Sequence, residues 1–205
     1  MAGGEMRPFR ALAGAFDALA LTVGSDDSPP MTIKAFVDAC SAMPPMIQLM
    51  GHATRSWKQE FAAKVELINS TSGHVTTLAE LIDQDKANNS VRLSDSNSRI
   101  ILRLKRAIEV VKVALEEMQK GRHVSLQAAA EVAYKAVFAR YHGNITQYTV
   151  IEAMSILPTR AAIMAMINET DDDAIIEMKK YVKSSSVVID YIDRLFLSRE
   201  LGTDW

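Results

Sequence analysis

The sequence predicts an all-α protein organised as one domain over residues 1–205. Three observations carry that prediction. Apolar residues recur at helical spacing along most of the chain, and no stretch alternates with the period of a strand. Nine Gly and six Pro in 205 residues are fewer than average usage gives, so breakers of regular structure are scarce. Ala, Leu, Met, Glu and Lys, which lose little side-chain freedom in a helix, are abundant. There is no internal repeat and no low-complexity linker.

The first helix runs from about Arg7 to Val23, with Phe9, Leu12, Ala13, Phe16, Leu19, Ala20 and Val23 on its apolar side. Ala18-Leu19-Ala20 imitates a signal-peptide cleavage site, but Asp17 interrupts the run, and an amphipathic helix is the better reading. Gly24-Ser25-Asp26-Asp27-Ser28-Pro29-Pro30 is a breaker cluster. Thr32 is placed to cap a second helix carrying Ile33, Phe36, Val37 and Cys40 on one face. Pro44-Pro45 bends or restarts it, and Met46, Ile47, Leu49 and Met50 continue. A third helix covers Trp57 to Ile68, and another stretch covers Thr76 to Lys86, ended by Asn88-Asn89-Ser90. The next helix, from Arg99, is apolar on nearly every face between Ala107 and Leu115, which marks it as central and buried. Gly121 is a good C-cap. Beyond it lie Ser125 to Tyr141, Ile145 to Ile156, a break at Pro158, and Thr159 to Ile167. Asp171-Asp172-Asp173 suits the start of a helix, where the dipole favours acids. The last helix holds Val187, Val188, Tyr191, Ile192, Leu195 and Phe196.

Charge excludes some function classes. Twenty-three Lys and Arg against 25 Asp and Glu give a formal net charge of −2. That balance argues against a general nucleic-acid binder, which needs a positive field to release counterions. Hydrophobic residues make up 48% of the chain, too many for a disordered one. The single cysteine, Cys40, allows no intramolecular disulfide, so a reducing compartment is expected. No uncharged apolar run is long enough to span a bilayer.

Arg99, Arg103 and Arg106, with Lys105 beside them, form the sharpest cluster. Arg99 and Arg103 are four residues apart and share a face. Guanidinium groups at the entry to a buried helix are costly unless an anion or carboxylates meet them. Two readings are open at this point: a phosphate clamp, since Arg forks match phosphate oxygens, or a solvated end paired with local acids. Glu60 and Lys64 repeat the four-residue spacing on the third helix, as a helix-stabilising pair or part of a site. His142, before Gly143 at a helix break, is a cap or a donor to a ligand oxygen. His52, His74 and His123 have no metal spacing, and no metal or cofactor is expected. There is no nucleophile–base motif, P-loop or dinucleotide fingerprint, and no enzymatic activity is expected.

Ala63-Lys64-Val65, Arg99-x-x-x-Arg103-x-Lys105-Arg106, Tyr141-His142-Gly143, Leu157-Pro158-Thr159-Arg160 and the tail RLFLSRELGTDW are similar to motifs of the glycolipid transfer protein superfamily. The resemblance spans essentially the whole chain and is nearest to the plant accelerated-cell-death branch, whose members move ceramide-1-phosphate. It implies a two-layer helical sandwich enclosing an apolar lipid pocket, with a surface headgroup site. It implies that Lys64, Arg99 and Arg103 bind the phosphate, that Glu60 and His142 meet the sphingolipid amide, and that Arg106 supports them. In the glycolipid-specific branch a Trp that stacks on sugar stands where Arg103 is here, so Arg103 points to phosphate. Two positions depart from the family pattern. The acidic position is usually Asp, and Glu60 is longer by one methylene, about 1.5 Å. The residue after His-Gly is commonly Trp, an amphipathic ring suited to a bilayer interface; here it is Asn144, with Ile145 and Tyr148 the candidate substitutes.

Resemblance and residues lead to one expectation: a non-enzymatic carrier of ceramide-1-phosphate or a close phosphosphingolipid, cytoplasmic, touching membranes transiently and binding no nucleic acid. The alternative is a phosphosphingolipid sensor that binds with little net transfer. A two-chain lipid hides roughly thirty methylenes, and at about 0.8 kcal/mol each their exposure to water costs on the order of 20 kcal/mol. An apolar sleeve removes most of that barrier, while bilayer and sleeve are similarly apolar, so the headgroup site must select the lipid.

Overall fold

A computed structural model describes residues 7–23, 29–71, 73, 75–167 and 170–205. Residues 24–28 of the expected breaker cluster, and His74, lie outside the described residues.

The helices start where short polar side chains can take up free backbone N–H groups. Helix α1 (Pro8–Leu21) opens on a proline and buries Phe9, Leu12, Ala13, Phe16 and Leu19. Thr32 caps α2 (Ile33–Cys40) by accepting from Ala35 N–H at 3.2 Å. The two prolines restart the chain as a separate helix, α3 (Met43–Gln48), because a Pro near a helix start forfeits no internal bond. Gly51, with φ of 81°, turns the chain through a short 3-10 segment (His52–Thr54) into α4 (Arg55–Ser70). Helix α5 (Leu78–Ala87) carries a full capping box between Thr77 and Glu80. The two caps are tied together: Ile33 N–H donates to Thr76 O at 2.8 Å and Leu78 N–H to Met31 O at 3.2 Å, an isolated bridge rather than a strand.

Helix α6 (Asn97–Gln119) is the central helix the apolar pattern predicts, and from Leu104 to Gln119 none of its residues is exposed. It ends at Gln119 with Lys120 as its cap, and Gly121 beyond it is not in the left-handed region. Helices α7 (Leu126–Val137), α8 (Asn144–Met154), α9 (Arg160–Ile167) and α10 (Asp171–Leu197) complete the set among the described residues, with a 3-10 segment (Ala139–Tyr141) before α8. On α10 the expected apolar positions are buried except Val187, which is 38% exposed.

Helices α1, α10, α6 and α7 lie side by side in that order. Helices α2, α3 and α4 pack on one another and lean against α1 and α6. The result is a two-layer helical sandwich around one apolar core. Tyrosines on α10 tie it to both layers: the buried Tyr181 hydroxyl donates to Ile108 O of the neighbouring α6 at 3.1 Å, and Tyr191 Oη accepts from Met31 N–H, just before α2, at 2.9 Å. Arg160 is buried where the break at Pro158 leads into α9. Its Nε meets Asp171 at 2.9 Å and its Nη1 donates to Met118 O at 2.8 Å, fixing the start of α10 to the end of α6.

Candidate functional site

Between the layers lies a cavity of about 730 Å³. Its wall is apolar: Phe61 from α4, Val111 and Leu115 from α6, Ala133 from α7 and Met154 from α8 are among its lining residues. Glu60, Lys64, Arg99, Arg103, Arg106 and His142 line the same cavity, so the fold brings together all six sequence candidates.

Helix α4 supplies Glu60 and Lys64 one turn apart, joined as an ion pair. Lys64 is largely covered, with 13% of its side chain exposed, while Glu60 faces solvent at 66%. Helix α6 supplies the arginines. Arg99 is half-buried and its Nη1 donates to Arg92 O at 2.9 Å. Arg103 is exposed and, among the described residues, has no ion-pair or hydrogen-bond partner. Arg106 is buried, and its Nη2 donates to Thr203 O at 2.9 Å and Trp205 O at 2.6 Å. Its guanidinium carbon lies 3.9 Å from the centre of the Tyr141 ring. Burial pushes this guanidinium below its ordinary pKa, the cost of desolvating a cation. Lys105 departs from the cluster: it turns between α6 and α10 and pairs with Glu109 at 3.1 Å and Asp193 at 3.0 Å. Among the described residues no Asp or Glu side chain forms a salt bridge with Arg99, Arg103 or Arg106, although Glu109 acts on Arg106 from farther away.

His142 is held by α7. Its Nδ1 lies 2.8 Å from the Tyr134 hydroxyl, and its ring stacks parallel on Phe138 with centroids 6.1 Å apart. Burial raises the Tyr134 hydroxyl pKa, keeping it protonated as a donor or acceptor to the imidazole. Gln147 secures the loop by donating to Ala139 O and His142 O, each at 2.8 Å. Sequence reasoning missed Tyr134, whose only signal is a place two helical turns before His142, and it missed Trp57 and Trp205, which also line the cavity. Asn144 begins α8, whose outer side carries Ile145, 86% exposed, and Tyr148, 69% exposed.

Four cations and one carboxylate thus stand at one end of an apolar cavity, with an imidazole held in place beside them. This arrangement can hold a molecule whose one end is anionic and whose remainder is hydrocarbon. Among the described residues no helix is long and apolar enough to cross a membrane.

Comparison with known proteins gives the same picture. The family model described as glycolipid transfer protein matches residues 31–169. The chain is 36% identical over 201 residues to accelerated cell death 11 of Arabidopsis thaliana, covering 97% of each chain. It superposes on a crystal structure of a variant of that Arabidopsis protein complexed with ceramide-1-phosphate with a TM-score of 0.90 at 35% identity, covering 98% of this chain and 99% of the other. The fold is also similar to that of mouse ceramide-1-phosphate transfer protein, with a TM-score of 0.82 at 18% identity over 94% of this chain and 97% of the other.

Proposed function

Because the chain belongs to the glycolipid transfer protein family, we propose that it is a non-enzymatic carrier of ceramide-1-phosphate or a close phosphosphingolipid between membranes, acting as one domain in the cytoplasm. The observation that carries this reading is the cavity itself, with Lys64, Arg99 and Arg103 at one end and apolar side chains along the rest. The bound ceramide-1-phosphate in the Arabidopsis relative supports it.

Lys64, Arg99 and Arg103 bind the phosphate. Arg103 supports that role because it is exposed and uncommitted, and Lys64 because its ammonium is nearly covered beside a single carboxylate. Glu60 accepts from the sphingolipid amide N–H, and His142 donates to the amide oxygen from Nε2 when Nδ1 accepts from Tyr134. Arg106 supports the site from behind. The protein touches the bilayer peripherally, with Ile145 and Tyr148 of α8 entering the interface in place of the family's Trp. No bond is made or broken; the protein lowers the barrier to desorption by giving the chains an apolar sleeve.

The test is transfer of labelled ceramide-1-phosphate between vesicles by wild type and by Arg103→Leu. A hydrogen bond to a charged group contributes about 1.5–3 kcal/mol, so transfer should fall at least about tenfold. Equal transfer by the two proteins would remove Arg103 from the headgroup site. Tight binding with negligible transfer by the wild type would mark a sensor instead of a carrier.

A further inference from the structure

The last five residues leave α10 by a path that the sequence motifs do not explain. Glu200 with φ of 60° and Gly202 with φ of 67° reverse the chain, and Leu201 N–H returns to Phe196 O at 3.1 Å. The base of this turn is fixed to α5: Arg199 forks onto Asp83 at 2.6 and 2.8 Å, and Lys86 Nζ donates to Arg199 O at 3.0 Å. The segment then crosses to the cationic end of the cavity, where Trp205 becomes part of the lining. The indole packs edge-on against Phe196 with centroids 6.3 Å apart, lies 5.3 Å from the Arg92 guanidinium, and donates to Leu201 O at 2.9 Å. What seats it is Arg106, through Thr203 O and Trp205 O. The same guanidinium lies against Tyr141, the neighbour of His142.

From this geometry we infer that residues 201–205 are a seated strap closing the headgroup end of the cavity, and that Arg106 is its positioning residue. One buried guanidinium fixes two parts of the wall, the strap and the His142 arm, before a phosphorylated lipid arrives. Arg106 therefore acts on the ligand through the walls it holds and not as a further phosphate cation. This rests on the phosphosphingolipid reading, and it has a readout that does not.

The experiment uses the full chain with Trp57→Phe, so that Trp205 is the remaining tryptophan of the two in the sequence; this protein is the reference. Binding of ceramide-1-phosphate is compared for Arg106→Met, Arg106→Lys and Gly202→Val, the last straining the strap at a position away from the cavity lining. Each variant should weaken binding by about tenfold, and Arg106→Met with Gly202→Val should be no weaker than the worse single change. Arg106→Lys keeps the charge but loses the fork and the flat contact with Tyr141, so it should fail to restore affinity. In ligand-free protein, iodide should quench Trp205 more strongly in all three variants than in the reference. Restored affinity with Lys, multiplying effects in the double variant, or unchanged quenching would each overturn the inference. If wild type and reference both bind no ceramide-1-phosphate, the proposed function falls, and the quenching of ligand-free protein still decides the strap. Should Arg106→Met not fold, Gly202→Val and Arg106→Lys carry the same comparison.

Discussion

Asp85 is a buried carboxylate whose Oδ2 accepts from Ser98 N–H at 2.6 Å and from Ser98 Oγ at 2.7 Å. It ties α5 to the first turn of α6, one residue before Arg99, so the placement of the cations depends on it. Removing it leaves two buried donors unpaired, and Asp85→Ala should cost about 1–3 kcal/mol in urea unfolding. A cost below that range would show that water replaces the carboxylate. Asp83 makes a different kind of pair, half-exposed and bidentate with Arg199. The hydrogen bond from Arg199 lowers the Asp83 pKa below its ordinary 3.8. A carboxylate depressed in the folded state stabilises above its unfolded pKa and loses that contribution as pH falls through the folded value. Asp83→Asn should therefore cost about 1 kcal/mol or less near neutrality, and its difference from wild type should vanish on acidification below 3.8; a gap that persists in acid would mean the side chain acts by packing. Four-residue spacing put Arg99 and Arg103 on one face in the sequence, while Lys64, on another helix, joined them only through the family motifs. Asp85 and Trp205 were not legible, because their partners lie 13 and 99 residues away in sequence and no local spacing encodes such contacts.

Caps and interior pattern were readable at the scale of the helix: Thr32 as a cap, the triple acid at the start of α10 and the all-round apolar middle of α6 all occur as the sequence suggests, while Thr170, which caps α10, went unread. Gly121 shows the limit, since a glycine just past a helix end implies a left-handed cap, and here its φ is not positive. Helix α8 differs from every other helix of its length here in burying no residue. Val150, Ala153 and Met154 line the cavity, while Ile145 and Tyr148 face outward. Its stability must come from its own hydrogen bonds and from the loop clamp made by Gln147, and isolated helices of about this length are marginal in water. Amide hydrogens of α8 should exchange well before those of α6 in ligand-free protein, and ceramide-1-phosphate should slow them as chains fill the cavity behind. Equal protection of α8 and α6 without ligand would contradict this.

The two-layer arrangement could not be read from periodicity, which says which face of a helix is buried but not what it is buried against; that part came from the family motifs. The arrangement itself sets the molecule's energetics. A cavity of about 730 Å³ inside a protein core holds side chains that lack packing partners on one side. A ligand with hydrocarbon chains restores those contacts, and on the proposed reading its phosphate would offset the repulsion among Lys64, Arg99 and Arg103. Both contributions exist only in the folded state, so ligand binding must appear as stability. At a free concentration of 100 times Kd the gain is about 2.7 kcal/mol. For a protein of this size each kcal/mol raises Tm by about 2–4 °C, so ceramide-1-phosphate should raise Tm by about 5–11 °C in calorimetry. Ceramide with the same chains supplies the packing but not the anion, so at equal concentration its shift should be clearly smaller. Raising the salt should narrow the gap between the two lipids, because the cationic end opens to solvent and its attraction for phosphate is screened. Equal shifts for the two lipids would mean that the chains alone are read and that the cations at the cavity mouth serve another anion.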